Sequence, residues 1–374
     1  MLASAFAAEG KSVCVVFSKV PWIKVPVPAH LPYAIRWAFF IGVKPGVSSP
    51  LRFLNGLTYL PVVRALCGPN TLLIGNGDEA SLLGGIRSRG KFIFGSRNTY
   101  DDFLKGSDWT RFSTWLRIFF KEPRYVAVAS AARQADVSTC TSEFSLTQLR
   151  RCFGIPAART AIIPNGIDPI FLRTAFKESG QRGILFFGRL AHNKGAHHAL
   201  EAFLSLSSAE RRAHPLTFAG DGPLRAKLEE TARAAGAQSE VIFSGWLTGR
   251  QLAEAIASCR LVLLPSLEES FGNAILETLA TGQNLVSTNA CAIPEVAGPY
   301  GTLVEPGDIA ALAAATSREL AHTRRDAEIE GQRRYFQDRF SWGVTARMYL
   351  ELDGDQERPK RNPILVKEVQ AVRL

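Results

Sequence analysis

Short apolar runs alternate with stretches of helical periodicity along almost the whole chain. Runs of this kind, separated by helical stretches, are typical of buried strands. Strands that alternate with helices predict parallel sheets covered by helices, so the pattern indicates an α/β protein. The predicted strands are 12–17, 71–76, 91–96, 126–130 and 160–165 in a first set, and 183–189, 215–220, 240–245, 260–266 and 284–288 in a second set.

The two sets of strands predict two domains. A chain of 374 residues also fits two cores of ordinary size better than one. We interpret segment 171–183 as a linker, and we expect the polar tail from Asp353 on, "DGDQERPKRNP", to fray. The predicted division is a basic first domain, a second domain, and a C-terminal helix with a polar tail, over residues 1–168, 169–340 and 341–374.

The excess positive charge lies in the first half of the chain. The net charge is +10, and residues 1–168 hold 20 Lys and Arg against 10 Asp and Glu, whereas residues 169–374 hold 24 of each. A basic surface attracts nucleic acid, an anionic membrane or a phosphorylated substrate. The basic residues are dispersed, without the dense tract of a nucleic-acid arm, so nucleic acid is not predicted as a partner.

The cysteines and the apolar segments narrow the class of protein further. The six cysteines are scattered, with no Cys-x-x-Cys pair and no Cys/His cluster at metal spacing, which predicts reduced thiols and a cytoplasmic protein. No apolar stretch reaches the ~18 residues of a membrane span. The N-terminal "MLASAFAAEGK" lacks the basic region and the long apolar region of a signal peptide.

Two glycine turns fall short of the common nucleotide-binding motifs. "GNGDEA" at 75–80 and "GDGPLR" at 220–225 begin with Gly-x-Gly but lack the third glycine of the dinucleotide fingerprint. No P-loop sequence occurs either. These absences weaken the interpretation as a dehydrogenase and exclude a P-loop enzyme.

The segment "PSLEESFGNAILETLATG", residues 265–282, places Glu269 and Glu277 at a strand-to-helix turn. The backbone N–H groups of Phe271, Gly272 and Asn273 are expected at the helix N-terminus, where free donors and the helix dipole bind anions. Gly272 has no side chain to block a phosphate. The alternative is a solvated acidic pair, because acidic residues are favourable at a helix start in any case.

Several segments, in one order and spacing, resemble the retaining nucleotide-sugar glycosyltransferases of family four. The resemblance covers about residues 122–350 and implies the GT-B fold, in which two Rossmann-like domains face each other and the last helix crosses back to the first. The segments are "IPNGID" (163–168), "FFGRLAHNKG" (186–195), "FAGDGPL" (218–224), "FSGWL" (243–247), "PSLEESFGNAILETLATG" with its Glu-x7-Glu spacing, "IPEVAGPYGTLVEPGD" (293–308) and "FSW" (340–342).

The resemblance implies roles for these residues. Glu269 would hold hydroxyls of the transferred sugar, and Glu277 would accept hydrogen bonds from the ribose of the donor. Arg189 and Lys194 follow a predicted strand and would neutralise a pyrophosphate leaving group as its charge grows. Further donor-binding positions are expected at Phe271, Gly272, Asn273, Gly188, Gly220 and Gly222.

The resemblance implies no cofactor and no divalent metal, with a nucleotide diphosphate sugar as the donor substrate. Three histidines near Lys194 nevertheless suggest a metal site. We reject it, because His197 and His198 are neighbours on a helical stretch and are expected to face different ways.

The first half departs from the family pattern. The chain opens with a predicted helix where relatives have a strand and a glycine-rich loop, and we expect an upstream reading frame to encode that strand. The half also lacks the usual histidine near the reacting sugar, so that Arg97 and Asn98 are the acceptor-side candidates. In the second half, "NACAI" at 289–293 replaces the usual Gly-Gly.

One helical segment of the first half, "DWTRFSTWLRIFFKEPR" at 108–124, combines aromatic and basic residues. Its aromatic and leucine side chains share an arc of roughly 140° on a helix, with the basic residues off that arc. The pattern predicts a helix on a membrane surface, and the alternative is a helix that faces the core. The membrane-facing candidates are Trp109, Arg111, Phe112, Trp115, Arg117 and Phe119.

Together these features predict a retaining glycosyltransferase. It would be cytoplasmic, peripheral on the inner face of the membrane, and would transfer a sugar to a glycan or lipid-linked acceptor of a cell envelope or capsule. Two alternatives stay open. One is a non-catalytic relative that binds a nucleotide sugar or a membrane, and the other is a nucleotide-sugar epimerase on the same fold.

Overall fold

The computed structural model describes residues 1–19, 31–39, 55–68, 70–76, 83, 90–96, 123–174, 176, 183–323, 325–354 and 364–366. The chain divides into two compact units. One consists of Met1–Pro164 with Trp342–Leu374, and the other is Asn165–Ser341. Each unit holds a parallel sheet with helices, which confirms the α/β class predicted from the sequence. The described part of segment 171–183 lies inside the second unit.

The first unit contains a parallel sheet of seven strands within the described residues, in the order β2-β1-β13-β3-β4-β5-β6. Its core includes Phe92 and Phe94, which are fully buried on one of the central strands. The strands are β1 (Val13–Lys19), β2 (Ala34–Phe39), β3 (Thr71–Asn76), β4 (Gly90–Ser96), β5 (Val137–Cys140), β6 (Thr160–Ile162) and β13 (Ile364–Val366).

The strand β13 comes from the C-terminal tail and lies in the middle of this sheet. Leu365 pairs with Cys14 of β1 on one side and with Leu73 of β3 on the other. The polar segment that was expected to fray, residues 353–363, ends directly before this strand, and residues 355–363 lie outside the described part of the chain. The backbone of this strand pairs on both sides, because the edges of β1 and β3 offer N–H and C=O groups that need partners.

The first described helix precedes β1, as the sequence predicted. It packs on the last described helix through Phe6 and Tyr349, whose ring centroids are 6.2 Å apart. The helices of this unit are α1 (Leu2–Ala8), α2 (Asn55–Leu66), α3 (Pro123–Gln134), α4 (Glu143–Phe153) and α14 (Trp342–Asp353), with a 3-10 turn at Ala157–Arg159.

One predicted strand, 126–130, is wrong, because these residues belong to α3. The run is short, contains alanine, the best helix former, and follows a proline at the first helical position. The strand of this region is β5, which the sequence analysis missed. Its Ser138 and Thr139 are buried polar residues that donate to the backbone oxygens of Ala132 and Phe94.

The second unit contains a parallel sheet of six strands among the described residues, in the order β12-β11-β10-β7-β8-β9. Five of them fall within predicted runs, and β12 was not predicted. The strands are β7 (Ile184–Phe187), β8 (Leu216–Ala219), β9 (Val241–Phe243), β10 (Leu261–Leu264), β11 (Leu285–Thr288) and β12 (Thr302–Val304).

The helices of the second unit separate these strands. They begin with α5, directly after the segment that enters the unit. The described helices are α5 (Pro169–Arg173), α6 (Ala196–Leu204), α7 (Ser208–Ala213), α8 (Arg225–Ala234), α9 (Arg250–Ser258), α10 (Asn273–Ala280), α11 (Ile293–Ala297), α12 (Ile309–Ala321) and α13 (Asp326–Phe340), with a 3-10 turn at His192–Lys194.

The strand order of the second sheet reverses between β7 and β10. After β7 the chain builds outward through β8 and β9, and after β10 it builds the other way through β11 and β12. Loops that leave two such neighbouring strands diverge and open a crevice at the carboxyl edge of the sheet, where open α/β sheets bind ligands. The topology therefore directs attention to the loops after β7 and β10.

We expect Leu365→Pro to weaken the first unit, because proline has no N–H group for the ladder and β13 is paired on both sides. Gln356→Pro, outside β13, is the control. Hydrogen exchange read by mass spectrometry should show faster exchange in β1 and β3 for the first variant alone. Equal exchange in the two variants would show that β13 does not occupy this position.

Candidate active site

The loops after β7 and β10 bring together a cation and a carboxylate. Nζ of Lys194 lies 2.6 Å from Oε1 of Glu269, with side chains 32% and 11% exposed. The hydroxyl of Ser266 also donates to this carboxylate oxygen at 3.2 Å. From the sequence, Lys194 was expected to meet the pyrophosphate of the donor and Glu269 the hydroxyls of its sugar. In the structure the two side chains form an ion pair with each other.

The backbone of the Lys194 loop is fixed against the loop after β10. The carbonyl oxygen of Asn193 accepts from the N–H of Leu267 at 2.9 Å and from that of Glu268 at 3.3 Å. Gly195 has φ +65°, and a Cβ there would lie 1.9 Å from the carbonyl oxygen of Pro265. Only glycine permits this approach, so it determines how close Lys194 comes to Glu269.

Helix α10 begins at Asn273, the position expected from the sequence. Its N-cap is Gly272, which has φ 92° and no side chain to cap the first turn. Helices α4 and α12, by contrast, begin with Ser142 and Asp308, whose side chains accept from a backbone N–H of the first turn. Since Gly272 supplies no side-chain acceptor, the N-terminus of α10 is a suitable site for an anion.

Asn273 itself is held by a residue that the sequence analysis did not select. Nδ2 of Asn165 donates to Oδ1 of Asn273 at 3.0 Å. Asn165 is only 9% exposed, whereas Asn273 is exposed at the helix start. The signal was present in the sequence, because Asn165 lies in the segment "IPNGID", but nothing in that segment indicates a contact 108 residues away.

The other donor-site candidates, apart from the glycines, lie on the same two loops and on α10. Arg189 is exposed, and its guanidinium has no hydrogen bond or ion pair among the described residues. Glu277 is half-buried, one helical turn beyond Asn273. Phe271 is buried, with its ring 6.1 Å from that of Phe340. Its side chain therefore belongs to the core, and only its backbone is a candidate for contact with an anion.

Close backbone packing or an unusual backbone conformation explains why three of the candidate positions are glycine. A Cβ at Gly220 would lie 1.9 Å from the carbonyl oxygen of Gly188, and one at Gly222 would lie 2.5 Å from that of Leu190. The Gly-Asp-Gly turn after β8 therefore packs directly on the loop after β7. Gly188 has φ +121° and open space beside it, which leaves its backbone accessible.

The loop after β11 contacts the same centre, and its backbone has a glycine-like conformation in the segment that replaces Gly-Gly. Cys291 has φ 52°, the one positive φ of a non-glycine residue in the described structure. The position thus requires the conformation that glycine adopts most easily. The next residue, Ala292, donates its N–H to the backbone oxygen of Glu269 at 3.3 Å.

The rings of the three histidines beside Lys194 contact one another, edge-to-face for His192 and His197 and tilted for His197 and His198. The centroids of His192 and His197 are 4.7 Å apart, and those of His197 and His198 are 4.0 Å apart. The expectation that His197 and His198 face different ways is wrong. Their Cβ bonds diverge by ~100° on the helix, but rotation of the flat rings still lets them touch. The described residues contain no cluster of three or more His, Cys, Asp or Glu suited to a metal ion.

The acceptor-side and membrane-facing candidates lie outside the described residues. These are Arg97, Asn98, Trp109, Arg111, Phe112, Trp115, Arg117 and Phe119. As for the helices that the structure does describe, each is too short or too polar to cross a lipid bilayer.

Both halves of the chain match families of known proteins. Residues 1–171 match the family described as Glycosyltransferase Family 4, and residues 181–322 match the family described as Glycosyl transferases group 1. The sucrose-phosphate synthase from Thermosynechococcus elongatus superposes with a TM-score of 0.72 at 20% identity, over 94% of this chain and 90% of that one. This likeness confirms the glycosyltransferase fold that the resemblance implied.

Two relatives are similar in sequence. A glycogen synthase of Mycobacterium tuberculosis strain H37Rv is 30% identical over 271 residues, which are 68% of this chain and 64% of that protein. A GDP-mannose-dependent alpha-(1-6)-phosphatidylinositol dimannoside mannosyltransferase of Mycobacterium tuberculosis strain H37Ra is 32% identical over 180 residues, which are 46% of this chain and 45% of that protein. The aligned parts span less than two thirds of either relative.

We expect the stability of the second unit to fall as the pH drops from about 6.5 toward 4. The pKa of His197 is lowered to about 4. Burial is the larger cause, and the charges of His198 and His192 add to it. The folded chain therefore keeps this ring neutral, while the unfolded chain takes up a proton below pH ~6.5. Because the ring is partly solvated, we expect a loss of about 1 kcal/mol.

Urea unfolding at pH 7.5 and pH 5.0 measures this loss. His197→Asn should reduce the difference between the two pH values, whereas His322→Asn, at an exposed position, should leave it as in the parent. If His197→Asn shows the full loss of the parent, other groups cause the pH dependence.

Proposed function

We propose that this chain, which belongs to the family 4 and group 1 glycosyltransferases, transfers a sugar from a nucleotide diphosphate sugar to a glycan or a lipid-linked acceptor. The observation that carries the proposal is the Lys194–Glu269 pair beside the N-terminus of α10, at the reversal of the second sheet. Cation, carboxylate and a helix start without a side-chain cap are the groups needed to bind a sugar linked to a diphosphate.

The diphosphate would lie at the N-terminus of α10, against the backbone of Phe271, Gly272 and Asn273. Lys194 has three N–H donors, so it can keep Glu269 and still donate to a phosphate oxygen. Arg189, whose guanidinium is not engaged among the described residues, adds a second positive charge. Both cations favour departure of the nucleotide, because negative charge grows on the leaving oxygen.

The sugar and the ribose would meet the two carboxylates. Glu269 holds hydroxyls of the transferred sugar, and Glu277, further along α10, accepts from the ribose diol. Ser266 and the N–H of Ala292 support Glu269 through its carboxylate and its backbone, respectively. This support keeps the carboxylate in place when Lys194 turns toward a phosphate.

We propose transfer with retention and without a protein nucleophile. The bond between the anomeric carbon and the diphosphate oxygen breaks, and the acceptor oxygen forms its bond on the same face of the sugar. The acceptor proton goes to the departing phosphate oxygen. Lys194 and Arg189 provide the positive charge in this scheme, which requires no divalent metal.

The acceptor side is proposed from the charge of the first half and from one relative. An excess of Lys and Arg over residues 1–168 favours an anionic surface or a phosphorylated acceptor. The name of the mannosyltransferase relative contains a phosphatidylinositol dimannoside, which is a glycolipid. These observations support a lipid-linked acceptor of the cell envelope, and a protein that is peripheral on the cytoplasmic face of a membrane.

Calorimetric titration with a nucleoside, its diphosphate and the nucleotide sugar tests the donor site. Lys194→Ala should weaken the diphosphate about ten- to hundred-fold, but not the nucleoside, because a hydrogen bond to a charged group is worth ~1.5–3 kcal/mol. Glu277→Ala should weaken all three ligands. Glu269→Ala should weaken the nucleotide sugar but not the diphosphate, since its loss also frees Lys194 from its ion pair.

Lys227→Ala is the matched control, because Lys227 is an exposed lysine paired with Glu230 on α8. The control should bind every ligand as the parent does. If the three site variants do so as well, the donor-site assignment is wrong. Release of nucleoside diphosphate only in the presence of an acceptor identifies a transferase. A new sugar isomer formed from donor alone identifies an epimerase, and binding without either product identifies a non-catalytic relative.

Vesicle co-sedimentation tests the membrane part of the proposal. Binding to anionic vesicles should fall as salt rises, because each Lys or Arg near the surface contributes ~1 kcal/mol that salt screens. Trp115→Glu should reduce binding, whereas Trp246→Glu, an exposed tryptophan of the second unit, should not. Equal binding to neutral vesicles at every salt concentration would rule out this attachment.

A further inference from the structure

The hydrogen bond between Asn165 and Asn273 fixes the orientation of one amide at the start of α10. Nδ2 of Asn165 is the donor and Oδ1 of Asn273 the acceptor, at 3.0 Å. A primary amide carries its oxygen and its NH2 group on opposite sides. Because Asn165 engages the oxygen, the NH2 group of Asn273 is turned the other way.

This orientation matters for an anion. With its oxygen engaged by Asn165, the Asn273 amide keeps its two N–H donors for another partner, at the residue that begins the helix. The flipped amide would offer an oxygen instead, and an oxygen repels a phosphate. We infer that Asn165 is a positioning residue, which selects the donor-presenting orientation of Asn273 for the diphosphate of the substrate.

The inference rests on the proposed function and gives a role to a residue outside the site proper. Asn165 is the first residue of the second unit and is almost fully buried, so it would act only through Asn273. A buried amide that hydrogen-bonds to an exposed one stabilises one orientation of a side chain that water alone would not select.

A second contact holds the backbone on the other side of Gly272. The ring of Phe271 packs edge-to-face on that of Phe340, at 6.1 Å between centroids. Phe340 accepts at its backbone oxygen from the N–H of Ile167, at 2.7 Å. The two neighbours of Gly272 are thus each tied to a segment that begins or ends the second unit, and the Asn273 amide is oriented on a fixed backbone.

Two substitutions of nearly equal size separate the possible roles of Asn165. Asn165→Leu removes the donor, and Asn165→Asp replaces it with an acceptor that would attract the NH2 group of Asn273 and turn the amide around. Calorimetry on the parent with UDP, GDP and ADP first identifies the diphosphate that binds with the highest affinity. The corresponding nucleoside is the second probe. We expect Asn165→Leu to weaken the diphosphate about three- to ten-fold, and Asn165→Asp more.

The same two substitutions are made in an Asn273→Ala background, where no amide is left to orient. There they should have no further effect on the diphosphate, and in neither background should they change nucleoside affinity. An equal loss in both backgrounds, or an equal loss for the nucleoside, would assign Asn165 a merely structural role. Thermal unfolding of each variant confirms that it is folded.

If Asn165→Leu does not fold, the comparison of Asn165→Ser with Asn165→Asp decides the question, because a serine hydroxyl still donates whereas a carboxylate does not. Equal diphosphate affinities for those two variants would overturn the inference. A parent that binds the diphosphate, with variants that bind it equally well, overturns the positioning role alone. A parent that binds none of the three diphosphates overturns the proposed function, and the inference falls with it.

Discussion

The ion pair between Lys194 and Glu269 is the contact on which the arrangement of the second unit's site depends. Each residue follows a different strand of the β7–β10 pair, so one contact of 2.6 Å joins the side chains of two loops whose backbones also meet at the Asn193 carbonyl oxygen. The carboxylate is largely withdrawn from water and needs a partner, which Lys194 and the Ser266 hydroxyl supply. The pair also links the group proposed to meet the diphosphate with the group proposed to meet the sugar.

Such a short contact requires the backbones of the loops to approach closely. Gly195 allows this against Pro265, and Gly220 and Gly222 allow it against the loop after β7, where a Cβ would overlap a carbonyl oxygen in each case. The loop after β11 has no glycine at the corresponding point. There Cys291 adopts a positive φ, at some cost in strain. The glycines of these loops are therefore explained by close backbone packing around the ion pair.

The two units differ in how their sheets are completed. In the second unit every described strand comes from one continuous stretch of chain, whereas the first unit uses β13 from the C-terminal tail as a central strand. The short strand β13 pairs with Val13–Val15 of β1 and with Leu73 and Ile74 of β3. A segment near the C-terminus therefore lies between β1 and β3, two strands from the N-terminal part of the chain.

The sequence by itself determined the elements with strong local signals. Apolar runs specified most strands of both sheets, and the turn before Asn273 specified the start of α10, because burial and helix initiation are read from neighbouring residues. Contacts between distant residues came only from the tertiary structure. The pairing of Lys194 with Glu269, the support of Asn273 by Asn165, and the place of β13 all join residues far apart in the chain. The polar strand β5 was missed for the same reason, since its buried hydroxyls are satisfied by carbonyl groups that only the folded chain brings near.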